Sequence, residues 1–198
     1  MRKITAFTMV SLDGVMQAPA RPDEDRRGGF EHGGWANPFQ HPESGAAMAR
    51  AGSSNALLFG RRTYEDFYNV WPGRTDNPFT ELLNSMTKYV VSRTLREPLP
   101  WQNSVLVPGD AADAVARLKS EPGPDLVMLG SGELLRSLTA AGLIDQQILL
   151  IHPLVLGSGT TFFQAGSETT GLRLVDSKAT PTGVIVATYE AVHETVSA

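Results

Sequence analysis

The stretch Asp125-Leu126-Val127-Met128-Leu129-Gly130-Ser131-Gly132-Glu133-Leu134-Leu135 carries the strongest fold signal in the sequence. Its uninterrupted apolar run indicates a parallel strand that is covered on both faces. A Gly-Ser-Gly turn leads directly into a helix, whose first N–H groups and positive dipole end suit a phosphate. The alternative is a tight turn that needs glycine only for its backbone geometry. Leu135 replaces the third glycine of the dinucleotide fingerprint, so the motif alone is weak.

Two other strand ends are followed by residues that suit a phosphate. Phe59-Gly60-Arg61-Arg62-Thr63-Tyr64-Glu65 places two arginines beside a helix start, although an exposed basic pair would give the same pattern. Val90-Val91-Ser92-Arg93-Thr94 places a hydroxyl and a guanidinium just past a strand, and arginine forms bidentate bonds to phosphate. Right-handed crossovers put such turns at one edge of a parallel sheet, where open α/β sheets bind ligands. We therefore expect the three turns to lie together.

The order of elements predicts an α/β fold in a single domain covering residues 1–198. Strands alternate with helices, and the chain then ends in consecutive strands. This order is typical of a three-layer α/β/α arrangement with a mostly parallel central sheet and an antiparallel C-terminal edge hairpin. Helices are expected to open at Thr63, with Asp76 and Asp110 capping two more. The predicted strands are 4–10, 56–60, 88–92, 104–107, 125–130 and 147–156, with the hairpin at about 172–177 and 184–189.

Asp13 is the main candidate for chemistry. It follows the first strand in the turn Ser11-Leu12-Asp13-Gly14, at the edge where the other turns are expected. A carboxyl group there could bind substrate N–H groups and relay a proton to a substrate heteroatom. Shielding from water would raise its pKa above the usual value. The alternative is a plain turn residue.

Residues 17–37 form a long loop rich in glycine, proline and charge, which also contains Phe30 and Trp35. Loops of this length without secondary structure are uncommon in compact domains and are usually functional. The loop could close over a substrate and exclude water, with Phe30 and Trp35 in contact with it. A dimer contact, or a surface lid with no ligand role, is the alternative.

The composition narrows the class of protein. The 198 residues carry a net charge of −4, which gives no general attraction to nucleic acid or an anionic membrane. Without cysteine there is no disulfide, thiolate metal site or cysteine nucleophile. The N-terminus has no signal-peptide pattern, and no apolar run reaches the roughly 20 residues of a membrane span. We expect a cytoplasmic protein that binds neither nucleic acid nor membrane. No metal is expected, because metal-ligand spacing is absent from the four histidines, His32, His41, His152 and His193.

Taken in order, these turns resemble the dihydrofolate reductase superfamily. The most similar branch is the C-terminal reductase domain of the riboflavin-biosynthesis deaminase–reductase, with its stand-alone relatives. The resemblance also covers Leu154-Val155-Leu156-Gly157-Ser158-Gly159. It implies a homodimeric oxidoreductase that uses NADPH and a small-molecule substrate, with the 2′-phosphate of the cofactor at Ser92 and Arg93. The pyrophosphate would be held by two of the turns, at Gly60, Arg61, Thr63, Gly130, Ser131 and Gly132.

Two positions depart from the riboflavin-pathway pattern. That branch has a lysine six residues before the aspartate and a glutamate just before the late glycines, where this chain has Phe7 and Leu129. Glu43 is a possible counterpart of the carboxylate of classical dihydrofolate reductases. The first hypothesis is therefore an NADPH-dependent reductase of a less polar, heterocyclic substrate. The alternatives are 5-amino-6-(5-phosphoribosylamino)uracil reductase and a non-catalytic nucleotide-binding regulatory protein.

Overall fold

In the computed structural model, the apolar run Leu126–Leu129 is a strand whose four side chains are all buried. The structure describes residues 1–52, 55–77, 79–163 and 170–192. These residues form eight strands and five α-helices, with short 3₁₀ turns at Arg27–Gly29 and Asn37–Phe39. In chain order the strands and helices are β1 (Ile4–Ser11), α1 (Pro42–Gly52), β2 (Ala56–Gly60), α2 (Arg61–Val70), α3 (Phe79–Ser85), β3 (Lys88–Val91), β4 (Ser104–Val107), α4 (Ala111–Ser120), β5 (Leu126–Leu129), α5 (Gly132–Ala140), β6 (Gln146–His152), β7 (Gly171–Ala179) and β8 (Ile185–Val192).

The strands are hydrogen-bonded in the order β4-β3-β2-β5-β1-β6-β8-β7. Strand β2 pairs in parallel with β3 and β5, and β3 pairs in parallel with β4. Strand β8 pairs antiparallel with β6 and β7. The predicted α/β class, mostly parallel with an antiparallel C-terminal hairpin, is confirmed. None of the helices in the described ranges is long and apolar enough to cross a bilayer.

The chain divides into two compact units. The first comprises Met1–Thr5 and Ala49–Ile144, and the second comprises Ala6–Met48 together with the chain from Asp145 onward. The first unit contains strands β2 to β5 and the helices between and after them. The second contains most of β1, the long loop after it, and β6 to β8. This division does not test the expectation of one domain over 1–198, which stays a prediction.

Several boundaries differ from the sequence-based prediction. Helix α2 begins at Arg61, with Gly60 as its N-cap, so Thr63 does not open it. Before α3 the expected cap at Asp76 is wrong: Asn77 Oδ1 accepts the Phe79 N–H at 2.9 Å, while Asp76 pairs with Arg74. Strand β6 ends at His152, because the next residue is a proline, which cannot donate a ladder hydrogen bond.

Other local features of the structure agree with the sequence. Asp110 Oδ1 accepts the Ala112 N–H at 3.0 Å and caps α4 as predicted. Helix α5 ends before Gly142, whose positive φ of 65° closes the last turn. The predicted hairpin is also present as β7 and β8, both somewhat longer than expected.

Lys88 closes the C-terminal end of α3 from the neighbouring strand. Its side chain is fully buried, and Nζ donates to the carbonyl oxygens of Leu83 at 2.7 Å and Met86 at 2.6 Å. The ammonium also lies 4.6 Å from the centre of the Trp101 ring. Burial lowers the pKa of Lys88 to about 8. A cation at this position satisfies carbonyls that the helix end leaves without partners.

We predict that Lys88→Met lowers the free energy of unfolding by about 2–4 kcal/mol, because it leaves buried carbonyl oxygens without donors while keeping the aliphatic stem. Urea unfolding monitored by circular dichroism measures the change. The exposed Lys3→Met is the control and should change the free energy by under about 0.5 kcal/mol. Equal stability of Lys88→Met and the parent would show that the contact of Lys88 with the two carbonyls is dispensable.

Candidate cofactor site

The first two glycine turns are joined by a hydrogen bond. The Gly60 N–H donates to Ser131 Oγ at 2.9 Å, across the neighbouring strands β2 and β5. Gly130 has a positive φ of 82°, and a Cβ there would lie 3.7 Å from Thr63 Cγ2. Gly60, Thr63, Gly130 and Ser131 are therefore grouped at the carboxyl ends of two parallel strands, as the sequence predicts.

The helices that start at these turns have no side-chain cap. Neither Gly60, the N-cap of α2, nor Ser131, the N-cap of α5, provides a side-chain hydrogen bond to its own helix. The Ser131 oxygen instead accepts from Gly60. Helix α4 in the same unit shows the contrast, because Asp110 caps it. The first-turn N–H groups of α2 and α5, among them that of Gly132, thus suit an anion.

Ser131 holds an unusual backbone conformation. Its φ of 71° and ψ of 56° place a non-glycine residue in the left-handed region. Such a conformation costs on the order of 1 kcal/mol or more unless the surroundings stabilise it. The hydrogen bond from Gly60 supplies part of that stabilisation, so the serine both fixes the turn and leaves the helix start open.

The arginines beside these turns are paired with carboxylates. Arg61 Nη1 lies 3.0 Å from Glu65 Oε2, one helical turn along α2. Arg62 Nη1 lies 2.7 Å from Glu133 Oε1 in the first turn of α5. All four side chains are at least 40% exposed, so a ligand can still reach the guanidinium groups.

The third turn lies at the same edge, because Gly60 pairs with Val91 at the end of β3. Ser92 is buried, and its Oγ accepts the N–H groups of Thr94 at 3.1 Å and Leu95 at 3.0 Å. Ser92 therefore shapes the turn, whereas Arg93 is exposed. Both border a cavity of about 610 Å³, which is lined by Ser92, Arg93, Leu95, Arg96, Glu97, Leu106, Pro108 and Gly109.

Arg96, which the sequence analysis did not identify, supplies a second cation in this cavity. Its Nη1 donates to the Leu95 carbonyl at 3.0 Å, which holds the guanidinium close to the turn. On the facing strand, the Leu106 N–H donates to Glu97 Oε1 at 3.2 Å. Leu95, Leu106 and Pro108 provide the apolar part of the wall. Arg96 follows Arg93 by three residues, and that spacing is the signal that could have pointed to it.

Asp13, in the second unit, is tied to a distant segment of the chain. Its carboxylate accepts the Ser11 hydroxyl at 2.5 Å and the Gly157 N–H at 2.7 Å, while the Leu156 N–H lies 3.2 Å from both oxygens. These bonds, the one from Ser11 first, lower the pKa of Asp13 to about 2. The expected shielding and raised pKa are wrong: the side chain is exposed, and its hydrogen bonds stabilise the charged form. The role of Asp13 in catalysis stays a prediction.

Gln17 is a second anchor that the sequence analysis missed. Its Oε1 accepts the N–H of Thr160 at 2.9 Å, and its Nε2 donates to the carbonyls of Asp25 at 3.2 Å and Arg27 at 3.0 Å. Gln17 therefore links the long loop to the segment after β6. A buried glutamine in a loop gives no local signal in the sequence, because its partners are set by the fold.

The rings of Phe30 and Trp35 are buried, at 5% and 6% exposed. They form a small apolar cluster with Val15, Ala18 and Ala36. Trp35 Nε1 donates to the Gln17 carbonyl at 2.7 Å. A Cβ on Gly159 would lie only 2.7 Å from Phe30 Cε2, so the ring packs directly on that backbone. The loop has its own core, and substrate contact by either ring stays a prediction.

The remaining titratable candidates have structural partners. His152 is buried between the rings of Trp35 and Phe39, and burial lowers its pKa. Glu43 Oε1 lies 2.5 Å from Lys178 Nζ, and the bond lowers the pKa of Glu43. In the part of the chain that the structure describes, no group of three or more acidic or histidine side chains could hold a metal. His193 lies outside the described residues.

The comparisons with known proteins agree with this architecture. A family model described as the RibD C-terminal domain matches residues 2–186. Two uncharacterized proteins of Bacillus subtilis (strain 168) are similar in sequence: YyaP is 29% identical over 140 residues, covering 68% of this chain and 73% of that protein, and YwjB is 27% identical over 179 residues, covering 89% and 91%.

Two solved structures share the fold. A putative riboflavin biosynthesis protein from Shewanella sp. PV-4 superimposes with a TM-score of 0.73 and 22% identity, covering 96% of this chain and 99% of that one. A pyrimidine reductase-like protein from Corynebacterium diphtheriae gives a TM-score of 0.68 at 14% identity, covering 98% and 93%. At these identities the likeness establishes the fold alone.

We predict that Asp13→Asn exposes the Leu156 and Gly157 amides. The neutral amide accepts hydrogen bonds more weakly than a carboxylate, so exchange at both amides should accelerate by about five- to tenfold at pH 7. The parent should lose the same protection in acid. A lowered pKa means that the carboxylate stabilises the fold above its unfolded value of 3.8, and that this contribution disappears as the pH falls toward about 2.

Hydrogen exchange followed by NMR, with Asp23→Asn as control, measures this effect. Asp23 is an exposed aspartate of the same unit. Unchanged protection of Leu156 and Gly157 in Asp13→Asn would show that Asp13 does not hold the segment.

Proposed function

The chain belongs to the family of RibD C-terminal domains, and on that basis we propose that it is an NADPH-dependent reductase of a C=N or C=O bond in a small heterocyclic substrate. The observation that carries the proposal is the joined pair of glycine turns, with two helix starts that no side chain caps. Side-chain caps stabilise helix starts, by about 1 kcal/mol relative to alanine and a few tenths relative to glycine, so two neighbouring uncapped starts favour amides that are kept for an anionic ligand.

The first unit fits the pyrophosphate of a dinucleotide. Gly60, Gly130 and Gly132 keep side-chain atoms away from the paired helix starts, where backbone N–H groups can donate to phosphate oxygens. Thr63, beside Gly130, offers a hydroxyl, and Ser131 fixes the spacing of the two turns. Arg61 and Arg62 bring positive charge to the same helix start.

The cavity after β3 fits the 2′-phosphoadenosine half of the cofactor. It is an open depression of about 610 Å³ on the surface of the first unit. Arg93 and Arg96 provide two cations for a phosphate, and Leu95, Leu106 and Pro108 offer apolar contact for a base. Ser92 contributes mainly by shaping the turn that carries the arginines.

The chemistry that bound NADPH would supply is a hydride. Asp13, ionised at neutral pH, is suited to accept hydrogen bonds from substrate N–H groups rather than to donate a proton. We propose that role for it, with the proton coming from water. Phe7 and Leu129, where the riboflavin-pathway enzymes carry a lysine and a glutamate, are buried apolar residues and bring no charge. This favours a less polar substrate over 5-amino-6-(5-phosphoribosylamino)uracil.

We also propose a homodimer that forms through β7. This edge strand is nine residues long, and seven of its residues are exposed, including Leu174 at 52% and Val175 at 48%. A long, exposed edge strand leaves backbone hydrogen-bonding groups without partners, which is a liability that proteins usually cover. A second copy of the chain can cover it through a closed two-fold interface.

We predict that NADPH binds at least about tenfold tighter than NADH, and that Arg93→Ala weakens NADPH binding by about tenfold or more while leaving NADH within about twofold. NADH lacks the 2′-phosphate, and Arg93→Ala lacks the guanidinium that would bind it. Each change removes the same charged hydrogen bond, which is why we expect an effect of about tenfold in both cases. Isothermal titration calorimetry measures the four affinities. Arg74→Ala, which removes a cation paired with Asp76, is the control. Equal affinity of the parent for NADPH and NADH would contradict the assignment.

Turnover separates the reductase from a non-catalytic nucleotide-binding protein. Oxidation of NADPH is to be followed with a panel of cyclic imines and heterocyclic carbonyl compounds. Tight binding of NADPH without oxidation across the panel would favour the regulatory alternative. Growth of a strain lacking the riboflavin-pathway reductase, rescued by this chain at native expression, would favour the riboflavin substrate instead.

We predict that Val175→Lys converts the dimer to a monomer, because it introduces a charge on each copy within the proposed interface. Sedimentation velocity measures the mass. Val105→Lys is the matched control, since Val105 is 42% exposed on β4, the short strand at the other edge of the sheet. A monomeric parent, or a dimer that survives Val175→Lys, would reject this interface.

A further inference from the structure

We infer that Arg62 neutralises Glu133 and thereby keeps the paired helix starts attractive to the pyrophosphate of the cofactor. The inference rests on the proposed function, since it concerns the same site. It assigns Arg62 a positioning and charge-balancing role rather than a direct contact with the ligand.

Glu133 lies at a position where its negative charge disfavours the binding of an anionic ligand. It lies in the first turn of α5, the turn whose N–H groups are left open for phosphate. Without a ligand, a carboxylate there interacts favourably with the positive end of the helix dipole. With a pyrophosphate at the same helix start, the two negative charges fall within a Debye length of each other and repel. The chain therefore needs a cation to compensate for Glu133.

Arg62 is placed to do this. Its Nη1 lies 2.7 Å from Glu133 Oε1, although the two residues are 71 positions apart in the sequence. The pair joins the same two helix starts as the Gly60–Ser131 hydrogen bond. Arg61, by contrast, pairs with Glu65 inside its own helix and does not reach α5. The Arg62–Glu133 pair, which joins the two turns, is thus the one that neutralises the negative charge on α5.

The exposure of the pair separates this role from simple stabilisation. The side chains of Arg62 and Glu133 are 51% and 67% exposed, and exposed ion pairs contribute little to folding. The main effect of the Arg62–Glu133 pair should therefore appear when the negatively charged pyrophosphate binds at the helix starts. Because NADPH and NADH share the pyrophosphate, a change at Arg62 should alter the affinity for both equally. A change at Arg93, by contrast, should alter the affinity for NADPH alone.

The test is a double-mutant cycle with Arg62→Gln, Glu133→Gln and the double variant. Affinities for NADPH and NADH are measured by calorimetry at low salt. We expect Arg62→Gln to weaken both nucleotides by about three- to tenfold, and Glu133→Gln to bind both as tightly as the parent or up to about threefold tighter. The double variant should return to within about twofold of the parent, because the charge that needed compensation is gone. Arg74→Gln controls for the loss of one positive charge elsewhere in the same unit.

The outcomes distinguish the possible failures. A double variant as weak as Arg62→Gln would mean that Arg62 contacts the phosphate itself, and would overturn the inference. So would unchanged affinity in Arg62→Gln, or a loss confined to NADPH. A parent that binds neither nucleotide would overturn the proposed function, and the inference with it. Thermal denaturation of each unliganded variant should give a melting temperature within about 2 °C of the parent.

Discussion

The hydrogen bond from the Gly60 amide to the Ser131 hydroxyl connects the ends of two parallel strands, and it positions the starts of both following helices relative to each other. It occupies the serine oxygen that would otherwise cap α5, and it helps to hold Ser131 in a left-handed backbone conformation. The neighbouring helix α4 has no such demand and carries an ordinary aspartate cap. Helices α2 and α5 of the first unit thus lack the stabilisation of a side-chain cap. Their uncapped amides lie at the same edge of the sheet as the glycines and the arginines.

Much of this edge could be predicted from the sequence because its signals are local. The apolar run before Gly130 identifies a buried strand, and the glycines and arginines follow strand ends within a few residues. Parallel pairing then brings the turns together without further information. The boundaries are less predictable: the sequence predicts a helix that opens at Thr63, but Gly60, three residues before it, already serves as the N-cap.

The second unit was harder to predict because its decisive contacts are between residues far apart in the chain. The hydroxyl of the nearby Ser11 contributes most to the lowered pKa of Asp13, and the Gly157 N–H, 144 positions away in the chain, also lowers it. The aromatic residues of the long loop also have packing partners that the sequence does not reveal. Phe30 and Trp35 have the composition of a lid, yet they pack with Val15 and Ala18 into a core that the loop builds for itself.

The packing around Gly159 has a consequence for laboratory evolution of new specificity. A Cβ at this position would lie 2.7 Å from Phe30 and 2.8 Å from Val15, so most members of a library that randomises it would be destabilised. Gly157 has open space around it but a φ of +74°, which only glycine and a few polar residues adopt readily. Val155, 70% exposed on the same segment, has neither restriction. Diversity introduced at Val155 would explore new surface chemistry beside Asp13 while leaving the scaffold intact.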